Sequence, residues 1–168
     1  MFRRISVLLA VFLLVFTVSC SQNSYGAGML CKNIASSFEC TLNITDESGD
    51  ALFGGKLSHG ENGYEFTVGF PEEIAGTVYR VSESGVEAEV FGKTVTLCAS
   101  AAEKLCDVFS VLDGVSSPGK DISPYKAELY GAECGLCGED GRLLYFSHGV
   151  PLLVIAGGVR AEFTGFSQ

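Results

Sequence analysis

The most reactive side chains in this sequence are its cysteines, and the tightest pair is Cys134-Gly135-Leu136-Cys137, the Cys-x-x-Cys spacing of thiol-disulfide oxidoreductases. In such an enzyme the first cysteine opens a helix inside a βαβ unit, and the helix amino terminus lowers its pKa. Here Gly138-Glu139-Asp140-Gly141 follows at once, which is turn chemistry, and no βαβ pattern precedes it. A structural role, or a local disulfide between Cys134 and Cys137, therefore outranks catalysis. With Cys20 set aside, Cys31, Cys40, Cys98, Cys106, Cys134 and Cys137 remain; an even set permits disulfides in an oxidising compartment, with the pairing open. Zinc would need a second Cys-x-x-Cys or a close Cys/His pair, and neither is present. No metal or cofactor is expected.

Other catalytic constellations are thin. His59 and His148 each sit singly beside a turn, as surface or second-face residues. Ser58 adjoins His59, but neighbours on a strand point to opposite faces, which is the wrong geometry for a nucleophile and its base. Glu72 and Glu73 after Pro71 read as a solvated turn. Asn43-Ile44-Thr45 spells a glycosylation sequon and nothing more. The chain is read as a non-enzyme.

The formal charge of −9 repels phosphate backbones, and Lys and Arg are scattered without a basic patch, so nucleic acid is excluded as a partner. With 47% hydrophobic and 18% charged residues the chain has material for one folded core. Its 21 glycines against 4 prolines suit short strands joined by tight turns.

Arg3 and Arg4, the apolar run Ile5 to Val18 and the small residues around Ser19 form an export signal over residues 1–19, shorter than the roughly 20 apolar residues of a membrane span. Thr17-Val18-Ser19-Cys20 resembles the bacterial lipobox, although leucine is usual where Thr17 stands. That resemblance implies a diacylated, palmitate-type anchor on Cys20 and a place at the outer face of the cytoplasmic membrane. The other reading is an ordinary secretory signal with Cys20 incidental. Acyl burial contributes about 0.8 kcal/mol per methylene, so two or three chains hold a protein without a spanning helix. Residues 20–28 then form a flexible tether, and 29–168 a single β-rich domain. Loss of Arg3 and Arg4 leaves 9 basic against 20 acidic residues, a mature net charge of −11.

The elements that must position any site follow from periodicity. Leu30, Ile34 and Phe38 share one side of a helix over Met29 to Ser37, and Cys40, Leu42 and Ile44 alternate as a strand. Ala51 to Ser58 is a second strand, where Gly54-Gly55 predicts a bulge or bend. From Tyr64 to Leu97 the chain alternates through four strands with turns at 71–76, 82–85 and Gly92. Ser100 and Glu103 form a capping box for a helix over Ala101 to Leu112, ended by Asp113-Gly114. A loop over 115–123, a strand over Tyr125 to Ala132, and strands at Arg142 to Phe146, Leu152 to Ile155 and Val159 to Phe166 complete the chain.

The aromatics Phe53, Tyr64, Phe66, Phe70, Tyr79 and Phe91, with Phe109 on the second helix, either line a cavity or pack as a core; a cavity requires a sheet too wide for its helices to fill. This order resembles the LolA/LolB-like superfamily of lipoprotein carriers and their Gram-positive lipoprotein relatives. The residues that carry the resemblance are Leu30 to Ile44 as helix into first strand, Phe70-Pro71-Glu72-Glu73 with Tyr79-Arg80-Val81 in the meander, and Gly149-Val150-Pro151-Leu152 running into Val159 to Phe166. The resemblance implies an α+β fold: a strongly curved antiparallel sheet, an unclosed β-barrel, covered by one amino-terminal and one internal helix. It also implies a non-enzymatic protein holding a lipid or acyl chain in the half-barrel, with those seven aromatics as the ligand-binding set. The alternatives are a tethered interaction module for a protein of the envelope or spore and, third, a thiol oxidoreductase using Cys134 and Cys137.

Overall fold

Alternating side chains set the sheet. The computed structural model describes residues 23–82, 85–98, 102–116, 123–126, 134–137 and 141–168. In chain order it contains helix α1 (Asn23–Ala35), strands β1 (Phe38–Asp46), β2 (Ala51–Gly60), β3 (Gly63–Phe70), β4 (Val78–Ser82), β5 (Gly85–Val90) and β6 (Lys93–Leu97), helix α2 (Glu103–Ser116), and strands β7 (Ser123–Lys126), β8 (Cys134–Cys137), β9 (Leu143–Ser147), β10 (Val150–Ala156) and β11 (Val159–Ser167). The strands form one antiparallel sheet in the order β6-β5-β4-β3-β2-β1-β11-β10-β9-β8-β7, with β6 and β7 at its two ends. The fold of the described residues is therefore α+β with an unclosed curved sheet and two helices, as the periodicity and the resemblance led us to expect.

β1 shows the physical rule in its simplest form. Phe38, Cys40, Leu42 and Ile44 are buried, while Glu39, Thr41 and Asn43 are exposed. Burying a side chain of this size contributes about 1.5–3 kcal/mol, so a one-residue slip of register would place that whole set in water. The inner face of the sheet and the apolar sides of α1 (Leu30, Ile34) and α2 (Leu105, Val108, Phe109, Leu112, Val115) form one core. Tyr145 and Leu153 form a second, smaller cluster with Leu143, Leu152 and Ile155 on the other face of β9 and β10. That second burial explains why Val150–Ala156 is apolar almost throughout instead of alternating.

Three expectations change. The helix begins at Asn23 instead of Met29, so the carboxy-terminal part of the expected tether, 23–28, is helical, and Phe38 opens β1 instead of closing the helix. Asp113-Gly114 does not stop α2, which runs to Ser116, because Val115 extends the row Val108, Leu112 and is itself buried. Cys134 to Cys137 is a strand, with Cys134 opposite Phe146 and Cys137 opposite Leu143. Residues 1–19, Cys20, Ser100 of the capping box, and 127–133 of the expected strand lie outside the described residues.

Polar contacts lock the helices to the sheet. Lys104 Nζ donates to the Gly157 carbonyl at the β10–β11 turn, and Arg142 reaches Ser110 Oγ at 2.7 Å and Asp107 at 3.8 Å. Asn33 Nδ2 donates to the Gly149 carbonyl at 2.8 Å, and Gln168 Nε2 to Ser36 Oγ at 2.8 Å. α1 is thereby tied to the β9–β10 turn and to the end of β11.

Candidate functional site

The seven aromatics predicted to share one surface fall into three places. Tyr64, Phe66 and Phe109 are in the core, with Phe66 0% and Phe109 1% exposed. Phe53 and Tyr79 are half-buried and pack against that core. Phe70 and Phe91 lie outside it, 48% and 98% exposed.

Both outliers have a local cause. Tyr64, Phe66 and Val68 face inward with period two, and Phe70 would follow, but Gly55 pairs with Val68 while Gly54 pairs with Phe70. The extra residue, Gly69, turns Phe70 to the face of Gly54 and Asn43. At Gly55 the β3 backbone comes so close that a Cβ would collide with the Thr67 carbonyl, which is why a glycine stands there. Phe91 and Gly92 are the two turn residues between Val90 and Lys93, both at positive φ (52° and 72°), a type I′ hairpin. The turn geometry holds the Phe91 ring away from the sheet.

The space between sheet and helices is filled where it is described. A void wide enough for water leaves accessible area on its walls, and Leu42, Ile44, Phe66, Val108 and Leu112 leave 2% or less. Tyr64 stacks on Phe109 with centroids 4.8 Å apart and planes 10° from parallel, and its hydroxyl donates to Asp113 Oδ1 at 2.9 Å. Burial and the neighbouring Asp113 carboxylate both push the Tyr64 phenol pKa up, so the ring stays neutral.

A feature that periodicity did not reveal is an aromatic row across four strands: Phe166 on Phe38 at 4.8 Å, Phe38 on His59 at 5.4 Å, and His59 on Tyr64 at 4.6 Å. His59, expected at the surface, is half-buried in this row, and its Nδ1 donates to the Ser36 carbonyl at 3.1 Å. The signal was available in the register: Phe38 opposes His59, and His59 opposes Tyr64.

Two clefts among the described residues lie at the margins. One, of about 340 Å³, is mainly polar and is lined by Glu39, Thr41, Lys56, Ser58 and Thr67. The other, of about 330 Å³, lies between the 73–77 segment and the Phe91 turn and has Ile74, Tyr79, Val90 and Phe91 as its apolar wall, with Glu73 and Glu89 beside them. Along the inner rung Phe66 and Ala88 are buried, Tyr79 is half-buried, and only Val95 at the sheet end is exposed, at 53%. On the outer face Arg80 bridges Glu65 at 3.0 Å and Glu89 at 2.8 Å, and both carboxylates hold the guanidinium charged.

Three of the described thiols are shifted away from the reactive thiolate, while Cys98 is exposed. Cys40 is buried, and desolvation pushes its pKa up to about 12; Cys31 and Cys106 are raised by burial as well. Cys134 stands on a strand and not at a helix amino terminus. Cys137 ends the same strand, opposite Leu143 of β9. Among the described residues no group of three or more His, Cys, Asp or Glu is gathered to hold a metal, and no helix is long and apolar enough to cross a membrane.

No family model and no curated protein matches the chain. Among solved structures it is similar to the LolA superfamily protein NE2245 from Nitrosomonas europaea, with 11% identity and a TM-score of 0.40 over 84% of this chain and 91% of that one. It is also similar to MucB, solved in complex with MucA(peri), with 16% identity and a TM-score of 0.35 over 87% of this chain. The match spans 55% of MucB, about half its length. These are likenesses of fold, and what this chain binds is written in its own residues.

Proposed function

We propose that this chain is a non-enzymatic extracytoplasmic binding domain, tethered by a lipid on Cys20, that engages an envelope partner with the far end of its half-barrel. The observation that carries the reading is the contrast, among the described residues, between core side chains such as Phe66, Val108 and Leu112, which leave no accessible surface, and an almost fully exposed Phe91 beside an apolar cleft. Apolar side chains held in water at the rim of a cleft gain free energy on meeting a partner, at about 25 cal/mol per Å². The tether reading rests on the lipobox-like Thr17-Val18-Ser19-Cys20, and the non-enzymatic reading on the lack, among the described residues, of an activated nucleophile or an assembled acid/base pair.

A second reading, carriage of an acyl chain, is favoured by Ile74, Tyr79 and Val90 on one wall of a 330 Å³ cleft. Native mass spectrometry of the full chain extracted in detergent separates the two. The interaction reading expects only the covalent lipid mass, whereas a stoichiometric noncovalent lipid would overturn it in favour of carriage. The tether is tested by Cys20→Ser, which should move the protein from the membrane to the soluble fraction; retention of the variant on membranes would refute the anchor.

A further inference from the structure

The two ends of the sheet are built differently. β7 reads Ser123-Pro124-Tyr125-Lys126: four residues with a proline that cannot donate to a neighbouring strand. β6 reads Lys93-Thr94-Val95-Thr96-Leu97, β-branched through its centre and without proline, and Lys93 to Thr96 are exposed. The two-residue turn at Phe91-Gly92 makes Val90 and Lys93 the closing hydrogen-bonded pair, so Lys93, Val95 and Leu97 direct their backbone groups to β5. Thr94 and Thr96 then direct theirs away from the sheet, leaving two donor–acceptor pairs one β-spacing apart.

We infer that β6 is a strand-addition site for an extended peptide whose apolar residues alternate with Lys or Arg. This deepens the interaction reading above and rests on it. Backbone pairing with Thr94 and Thr96 supplies the geometry, and the side chains set the partner's chemistry. On the inner face a newcomer lies beside Val95, 53% exposed, and continues the apolar rung. On the outer face Thr94 and Thr96 stand next to Glu89 and Glu87 of β5; further in, Arg80 bridges Glu89 and Glu65, and Lys56 lies three strands beyond Glu89. Strands lie about 4.8 Å apart, so a lysine or arginine opposite Thr96 reaches back over β6 to Glu87, which is exposed. The same acidity opposes a second copy: two β6 edges pairing would bring two such Glu faces together on chains of charge −9.

The test uses the full chain in detergent and end-blocked heptapeptides of alternating lysine and valine, titrated by calorimetry. The Lys/Val peptide should bind, and the matching Glu/Val peptide should bind at least ~10-fold more weakly. Methylating alternate backbone nitrogens of the Lys/Val peptide along one edge should abolish binding, a control that leaves the protein unaltered. Thr96→Pro, which removes a donor that the described strands do not use, should weaken binding at least ~10-fold without changing the melting temperature. The site is overturned if the methylated peptide binds as well as its parent, if the Glu/Val peptide binds equally, or if no binding occurs. Concentration-dependent dimers that Thr96→Pro dissolves would also overturn it, because the occupant would then be a second copy. A noncovalent lipid in the native spectrum with peptide binding intact breaks the preceding reading alone.

Discussion

The half of the sheet under the helices and the wing β4 to β6 are built from the same alternating pattern, yet the wing, which still buries Val86 and Ala88 on β5, ends at β6 in the opposite environment. β1 and β3 bury every inward residue up to Val68 because α1 and α2 lie over them. On β6 the same parity leaves Val95 half in water. Alternation therefore specifies which side chains share a face, and the covering helices decide whether that face is core. The covered half carries stability, and the wing carries apolar and backbone groups available to a partner.

The sharpest way to break this comparison is to truncate the stack that joins helix to sheet. Phe109→Ala should cost about 3–5 kcal/mol in denaturant unfolding, since Tyr64 and the core around it cannot close the gap. A loss below about 1 kcal/mol would mean that the helix covers a space already open. Next in size, Gly55→Ala should destabilise by about 1–3 kcal/mol, because its Cβ meets the β3 backbone and not a side chain that can move aside.

On the wing the sign reverses. Phe91→Gly should stabilise by about 1 kcal/mol, as a non-glycine residue is held in the left-handed region with no packing to offset it. The same variant should weaken whatever uses the 330 Å³ cleft, so a gain in stability with a loss of binding is the expected pair of results.

The smallest effect at neutral pH concerns Cys40. Its folded pKa, about 12, lies above the ordinary thiol value of 9.0, so the unfolded thiol ionises first, and stability falls as pH rises from 9.0 towards 12. Wild type should therefore lose stability more steeply than Cys40→Ala across that window in paired urea titrations, and the two should have matching slopes at pH 7. Native Cys40 should also resist alkylation until the chain unfolds.

Much of this was legible before any coordinates. The helix face Leu30–Ile34, the alternation in β1, and the hairpins at Gly60 to Gly63 and after Val90 all rest on local pattern. The candidate site was less so. Phe70 obeys the period of Tyr64, Phe66 and Val68, and one extra residue at Gly69 turns it out; a bulge is a property of two strands, which one strand's pattern does not contain. His59 looked like a turn residue because its stacking partners, Phe38 and Tyr64, meet it across hydrogen bonds and not along the chain.

By itself, then, the sequence determined the α+β class, the antiparallel order of the meander and its acidic surface. These depend on periodicities of two and 3.6 residues and on residue chemistry, both local. Only the tertiary structure decided that Tyr64, Phe66 and Phe109 are core while Phe91 stands in water, that Cys134 sits on a strand, and that the sheet ends in one edge with a proline and one without. Those outcomes depend on which elements lie over or beside one another, and burial is a property of the assembled neighbours.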